Sequence, residues 1–281
     1  MVSSKNRDFS SLRLKAEEIR RRVLEIIYLA KGGHTGGSLS IVDILTALYF
    51  EILNIDPKHP DKPDRDRFIL SKGHSVEALY CVLGEAGFFE DTVLDTYGRF
   101  NSILAGHPTR KVPGVELNSG ALGHGLSVGV GMAIAFKMDN ASQRVFVLMG
   151  DGEQGEGSIY EAAMAGSHYK LDNLITIIDR NRLQISGNTE DIMTLEPLRS
   201  RWESFGWEVT EVDGHNLADL IGTLKMIPIK QNKPHLVLAN TIKGKGISFL
   251  ENNAKWHHGV PDKEHFLQAM DEITNRIDQL I

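Results

Sequence analysis

The sequence predicts an α/β fold, a mostly parallel central sheet with helices on both faces. Three observations predict it. Apolar runs of strand length recur at residues 68–70, 145–149, 174–178 and 235–239, and 208–212 reads as a further strand. Segments with apolar residues at helical spacing separate them. Polar turns, several with glycine, follow the ends of the runs at 70, 149, 178 and 239. Continuously apolar strands alternating with amphipathic helices belong to a parallel sheet that is covered on both sides.

The elements follow in order. Leu14, Ile19, Val23, Ile26 and Ile27 predict a helix over 13–30, closed by Gly32-Gly33. Within it, residues 15–22 read as a solvated charged face, because Glu17 and Glu18 interrupt the basic residues. A second helix is expected over 41–52, then a charged, proline-bearing surface loop over 56–67. The strand at 68–70 runs into Ser71-Lys72-Gly73-His74, and another helix continues through Leu83. That helix carries Cys81, the only cysteine, which rules out an intramolecular disulfide. Its apolar neighbours mark it as a small core residue. Residues 98–117 lack periodicity, contain Pro108 and Pro113, and predict a long functional loop. The glycine-rich stretch 120–131 leads into a helix ending at Met138, where Gly129 and Gly131 read as close-packing positions. A helix over 158–169 lies between the strands at 145–149 and 174–178. Another helix precedes the strand at 208–212, and a helix over 217–226 follows it. The strand at 235–239 leads to Lys243-Gly244-Lys245-Gly246, and 262–281 forms a terminal helix. No repeat or low-complexity linker interrupts the chain, so one domain is expected over 1–281.

Composition excludes some functions. A length of 281 residues can bury a full core. A formal net charge of -6 argues against nucleic-acid binding, which relies on basic surfaces. The polar opening, residues 1–14, lacks the apolar core of a signal peptide, and no window reaches the length of a membrane span. The expected setting is cytoplasmic and reducing.

The strongest chemical signal is Gly150-Asp151-Gly152-Glu153-Gln154-Gly155-Glu156-Gly157, followed by Asp179-Arg180-Asn181-Arg182-Leu183-Gln184. Each follows a predicted buried strand, at the sheet edge where open α/β folds bind ligands. Parallel neighbours lie about 4.8 Å apart, so Asp151 and Asn181 can converge on one ion. Magnesium prefers roughly six oxygen ligands, and calcium also takes oxygen. Asp151 offers a carboxylate, Asn181 an amide oxygen and Leu183 a backbone carbonyl. Diphosphate oxygens and water would complete the shell. Gly150 and Gly152 permit close backbone approach, and a helix opening near Gly157 can aim amides at phosphate. Gly-Asp-Gly alone is usually just a turn, but the two motifs in tandem are far more specific. Neither a Gly-x-x-x-x-Gly-Lys-Ser/Thr loop nor a dinucleotide fingerprint is present in the sequence. The expected ligand is therefore another kind of diphosphate ester.

The segment 150–184 resembles the thiamine-diphosphate signature of transketolase-like enzymes. The resemblance covers nearly the whole chain. Gly33-His34-Thr35-Gly36-Gly37-Ser38-Leu39-Ser40, Ser71-Lys72-Gly73-His74 and Ala105-Gly106-His107-Pro108 resemble the first three histidine motifs. Gly120-Ala121-Leu122-Gly123-His124-Gly125-Leu126 resembles the loop over the cofactor, and Trp256-His257-His258-Gly259-Val260-Pro261 the last histidine motif. The resemblance implies the thiamine-diphosphate-binding fold and assigns roles. Asp151, Asn181 and the Leu183 carbonyl would bind Mg2+, or Ca2+. Gly120, Leu122, Gly152 and Lys243 would lie against thiamine diphosphate. Glu156 and Glu161 match glutamates that link paired cofactor sites across an interface. His34, His74, His107 and His258 would surround the reacting centre, where imidazoles that titrate near neutrality can move protons. His258 is preferred to His257 because Gly259 and Pro261 follow it as in the family pattern. His124 has a weaker claim, and His168, His215 and His235 read as structural or exposed. Two departures stand out: Arg180 where many relatives carry asparagine, and Thr35 where proline is common.

In this family a second domain binds the aminopyrimidine ring and the sugar phosphate, and nothing in residues 1–281 reads as that domain. The resemblance thus implies the N-terminal subunit of a split transketolase. A C-terminal subunit would complete each site, as a heterotetramer acting on sugar phosphates. Two alternatives stay open: another thiamine-diphosphate enzyme, such as a deoxyxylulose-phosphate synthase or 2-oxo acid dehydrogenase subunit, and a non-catalytic binding subunit.

Overall fold

The computed structural model describes residues 9–281. The stretch 1–8, most of the polar opening considered above, lies outside the described residues. The first long helix is α1 (Ser10–Ala30), and it stops where Lys31 turns left-handed at φ 56°. The expected helix over 41–52 is α3 (Val42–Ala47) running on into a π-helical turn (Leu48–Ile52), and a break separates it from a short helix before it, α2 (Thr35–Ser40). The break falls at Ile41, whose φ of -107° and ψ of 2° leave the helical region. The first histidine motif therefore opens a helix of its own.

Strand β1 (Arg67–Leu70) leads through a single 3-10 turn to α4 (Val76–Ala86). As expected, 98–117 contains no helix or strand. Then follow α5 (Gly125–Met138), β2 (Val145–Gly150), α6 (Gly157–His168) and β3 (Leu174–Arg180). Beyond β3 come α7 (Thr189–Ile192), α8 (Leu198–Ser204), β4 (Glu208–Asp213), α9 (Leu217–Met226), β5 (His235–Asn240) and α10 (Lys263–Asp278).

The five strands form one all-parallel sheet in the order β1-β2-β3-β5-β4. Alternate residues of each strand enter opposite cores, as a period of two requires. Phe146 and Leu148 of β2 pack with α1, α3, α4, α9 and α10. Val145, Val147 and Met149 pack on the other face with α5, α6 and α8. The central strands are therefore apolar on both faces.

Two packing expectations need correction. Residues 15–22 are not a solvated face. Arg20 is 3% exposed, donates to Glu17 at 2.8 Å, and bonds Asp43 of α3. Arg22 reaches Asp91 and Asp95. Tertiary partners far along the chain, invisible in the local charge pattern, draw these arginines in. Of the two helix glycines, only Gly129 is close-packed: a Cβ there would meet Val147 at 2.6 Å. Gly131 has open space. Cys81 is buried, and burial pushes its thiol well up, which suits a core residue.

Candidate cofactor and active site

The site forms at the carboxyl ends of β2 and β3. Their register sets Gly150 beside Asp179. Asp151 and Asn181, just beyond that pair, therefore leave the sheet together. Asp151 is 2% exposed. Its Oδ1 accepts from Gly152 N at 2.7 Å, and its Oδ2 accepts from Arg180 Nη1 at 3.1 Å and from Arg182 N. Burial raises the Asp151 carboxyl, with the Asp179 charge adding to the effect. A cation beside it would reverse that penalty. Asn181 donates its amide to Asp179 Oδ2 at 2.8 Å, and its Oδ1 accepts from Leu183 N at 3.1 Å. The carbonyl of Leu183 already accepts a positive group, Lys243 Nζ, at 3.1 Å.

A buried ion pair lies behind this wall. Lys72, 1% exposed, bonds Asp179 and donates to the Gly37 carbonyl at 3.2 Å. Asp179 also accepts from Ser40 Oγ at 2.7 Å and from Thr241. Burial alone would raise the Asp179 carboxyl, but Lys72 and these donors hold it below its ordinary value. Glu153 ties the neighbouring loop to the sheet, accepting from Gly150 N at 3.1 Å, Gly123 N at 2.9 Å and Ser71.

Histidines approach from other segments. His34 stands at the start of α2, where its amide donates to Glu77 at 3.0 Å. Ser38 and Tyr97 donate to the same buried carboxylate, each at 2.7 Å. Around the His34 ring lie His258 at 4.5 Å, His74 at 5.3 Å, His257 at 5.6 Å and His107 at 6.0 Å between centroids. Two glycines permit this crowding. A Cβ on Gly120, at φ +144°, would meet the His107 ring at 2.7 Å, and one on Gly73 would meet Gly120 N at 2.8 Å. Burial, then the neighbouring His258 and His107, lowers His34 to about 4. Burial and Lys243 lower His257 to about 3, and burial holds His74 well down. All three rings are thus neutral at pH 7.

These groups line a cavity of about 260 Å3. Its wall includes Asp151, Gly152, Asn181, Leu183, Gly120, Leu122, Lys243, His34, His74 and His257. Burial, then Lys72, lowers Lys243 to about 8, and its Nζ lies 2.7 Å from His257 Nδ1. A larger cavity, about 600 Å3, lies between α1, α10 and the 245–251 loop. Its charged groups largely satisfy one another, as Glu17 does with Arg20 and Arg276.

The donor set fits a hard cation and an anionic ligand. Among the described residues no three His, Cys, Asp or Glu side chains gather into a metal cluster. A cation here would rest on one carboxylate, one amide oxygen and one backbone carbonyl, the oxygen donors that magnesium accepts. Lys72 and Lys243 give the same cavity positive charge to meet a diphosphate.

Comparison with known proteins agrees. Residues 12–274 match the family model "Transketolase, thiamine diphosphate binding domain". The chain belongs to the transketolase family. It is 58% identical over 270 residues to one of the subunits of apulose-4-phosphate transketolase from Phocaeicola vulgatus, covering 96% of each chain. It is 43% identical to 6-deoxy-6-sulfo-D-fructose transketolase subunit SqwG of a Clostridium species, covering 93% of this chain and 96% of that one. Among solved structures, transketolase from Campylobacter jejuni superposes with a TM-score of 0.90 at 30% identity. That match takes in 95% of this chain but 43% of the larger one. The transketolase relatives named as subunits are thus matched end to end, and this longer transketolase over less than half its length.

Within this transketolase frame, most residues singled out from the sequence meet at the cavity. His107 and His258 lie beside His34 but outside the cavity wall, and both are exposed. His257 lines the wall, where the sequence pattern favours His258. Glu156 and Glu161 are exposed near the start of α6, outside the cavity. The residues at the opening of α6 are outside the wall too, so the amides near Gly157 do not face this cavity. Arg180, a mere departure in the sequence pattern, bonds Asp151 directly. Sequence reasoning assigns no role to Lys72, Glu153, Asp179, Gln184 or Ile185. Lys72, Glu153, Asp179 and Gln184 lie inside the motifs themselves, which is the available signal, and Ile185 directly follows one.

Proposed function

We propose that this chain is the cofactor-holding subunit of a two-chain transketolase, moving a two-carbon ketol unit from a ketose phosphate to an aldose phosphate. The observation that carries the reading is one cavity with oxygen donors on one side and neutral histidines on the other. Asp151, Asn181 and Leu183 would hold Mg2+, or Ca2+. Gly120, Leu122, Gly152 and Lys243 would hold thiamine diphosphate. That cofactor supplies a nucleophilic ring carbon and a sink for electrons.

The chain's own residues bind and move protons. Lys72 and Lys243, both buried, would offset phosphate charge, which counts most where water is excluded. A neutral imidazole can accept a proton from a substrate hydroxyl at one nitrogen and donate from the other. His34, His74 and His257 suit that work beside the cofactor, and His107 and His258, at the outer rim, suit contacts to sugar hydroxyls. Glu156 and Glu161, exposed near the start of α6, would meet another protein chain.

A C-terminal partner chain carrying the aminopyrimidine-binding domain would complete the site in a cytoplasmic heterotetramer. The end-to-end match to relatives named as transketolase subunits supports this. No helix among the described residues is long and apolar enough to cross a membrane. The relative at 58% identity makes apulose 4-phosphate the first donor to try. The test is reconstitution. Ketol transfer should need both chains, Mg2+ and thiamine diphosphate, and Asp151→Ala should abolish cofactor uptake in calorimetry. Full transfer by this chain alone would overturn the two-chain reading, and undiminished uptake by Asp151→Ala would overturn the site.

A further inference from the structure

Arg180 ends β3 with 3% exposure, and its guanidinium reaches in two directions. Nη1 donates to Asp151 Oδ2 at 3.1 Å and to Thr189 Oγ1 at 2.8 Å. Nη2 donates to Glu190 Oε1 at 3.0 Å and to Glu196 Oε1 at 2.8 Å. The partners sit on separate pieces of chain. Asp151 follows β2 and belongs to the oxygen wall of the cavity. Thr189, Glu190 and Glu196 belong to the segment after β3 whose opening residues, Leu183, Gln184 and Ile185, line that cavity. This segment folds back on itself through the Leu183–Asn188 bridge and through Thr189 N, which donates to the Arg182 carbonyl at 3.0 Å.

One cation therefore faces three carboxylates. A guanidinium against Asp151 competes with a divalent ion for the charge of that carboxylate. Glu190 and Glu196 draw the same guanidinium the other way and offset its charge. Arginine suits this position because its planar fork can hold several acceptors at once. Arg180 itself does not line the cavity.

The geometry points to Arg180 as a latch between the 183–196 wall and the cation-binding carboxylate Asp151, with Glu190 and Glu196 setting how much of its charge Asp151 feels. The latch rests on the cation site read above, and Arg180 acts as a positioning residue within it. Linkage makes the coupling reciprocal. If holding the wall raises cation affinity, then cation binding holds the wall by the same factor.

The test compares the wild-type chain, Arg180→Met and the double variant Glu190→Gln, Glu196→Gln. Amide hydrogen exchange and calorimetric titration of Mg2+ with thiamine diphosphate are the readouts. The two glutamates are partly exposed, so the double variant leaves the core intact. In the apo protein it should exchange about tenfold faster across 189–196, as a locally opened unit does, with β2 and β3 unchanged. Its Mg2+ affinity should fall about fivefold, the size expected for losing two partly exposed ion pairs. In the wild-type chain, loading should slow exchange at 189–196, and Arg180→Met should lose that protection. Exchange and affinity equal to wild type in the double variant would overturn the latch. Failure of the wild-type chain itself to take up Mg2+ and thiamine diphosphate would overturn the site reading, and the coupling with it.

Discussion

The two walls of the cavity are built in different ways. The oxygen wall is an extension of the sheet. Asp151 and Asn181 leave the ends of two adjacent, paired strands, and the buried Lys72–Asp179 pair stands directly behind them. The histidine wall is assembled from loops and helix starts at 34, 74 and 257, with His107 and His258 at its outer rim. Its rings meet at 4.5–6.0 Å around His34, and two of them are exposed. Damage to the buried pair behind the first wall should therefore destabilise the fold, whereas damage to the second wall should cost chemistry and leave the fold standing.

Lys72→Met breaks that comparison most severely if the comparison is wrong. The change removes one partner of a buried pair and leaves Asp179 charged among apolar strands. Such losses cost about 3–5 kcal/mol. Urea unfolding should show the drop. A cost below about 1 kcal/mol would mean that Ser40, Thr241 and Asn181 satisfy Asp179 without the lysine, and that the oxygen wall is no more part of the core than the other.

Single replacements at 257 and 258 sharpen the contrast within the histidine wall. His257→Ala should lower kcat/KM of the reconstituted enzyme about a hundredfold or more, as for loss of a proton-transfer group. His258→Ala, at the exposed rim, should cost about tenfold, nearer the loss of one substrate contact. Neither should change unfolding free energy by more than about 1 kcal/mol. A larger loss at His258 than at His257 would restore the assignment suggested by Gly259 and Pro261.

The same contrast explains what can be read in the chain. The strands and the Asp151–Asn181 pairing are written locally, in apolar runs and in motifs that directly follow them. Packing of strand against strand then does the rest. The histidines can be gathered only by resemblance, since no spacing rule joins residue 34 to residue 257. Between His257 and His258 one step of backbone decides which ring turns inward, and the inward ring is the one that meets Lys243 Nζ. Lys72 beside a glycine looks like a surface lysine, and its partner comes 107 residues later. Arg20 looks solvated for the same reason, because Asp43 and the docking of α3 lie outside its local window. Arg180 looks incidental because its bonds converge on it from β2 and from the segment after β3. Groups buried by distant elements are where reading from local pattern fails.

Acid titration gives the smallest and most specific test of the histidine wall. His34 falls from an ordinary 6.5 to about 4 through burial and its histidine neighbours. His74 and His257 are also lowered, by burial and then by Lys72 and Lys243 respectively. Between these values and 6.5 the unfolded chain binds protons that the folded chain refuses. Stability must then rise with pH across that window. The contribution is fully present above about 6.5 and is lost as pH falls toward 4. The Asp179 carboxyl, held below its ordinary 3.8, loses its own contribution only in more acid solution. Comparing wild type with His34→Gln between pH 6.5 and 4.5 separates the two walls. The wild-type slope of unfolding free energy should be steeper, by less than one proton. Equal slopes would mean that His34 takes up its proton freely in the folded protein and that the rings are not packed tightly enough to stay neutral.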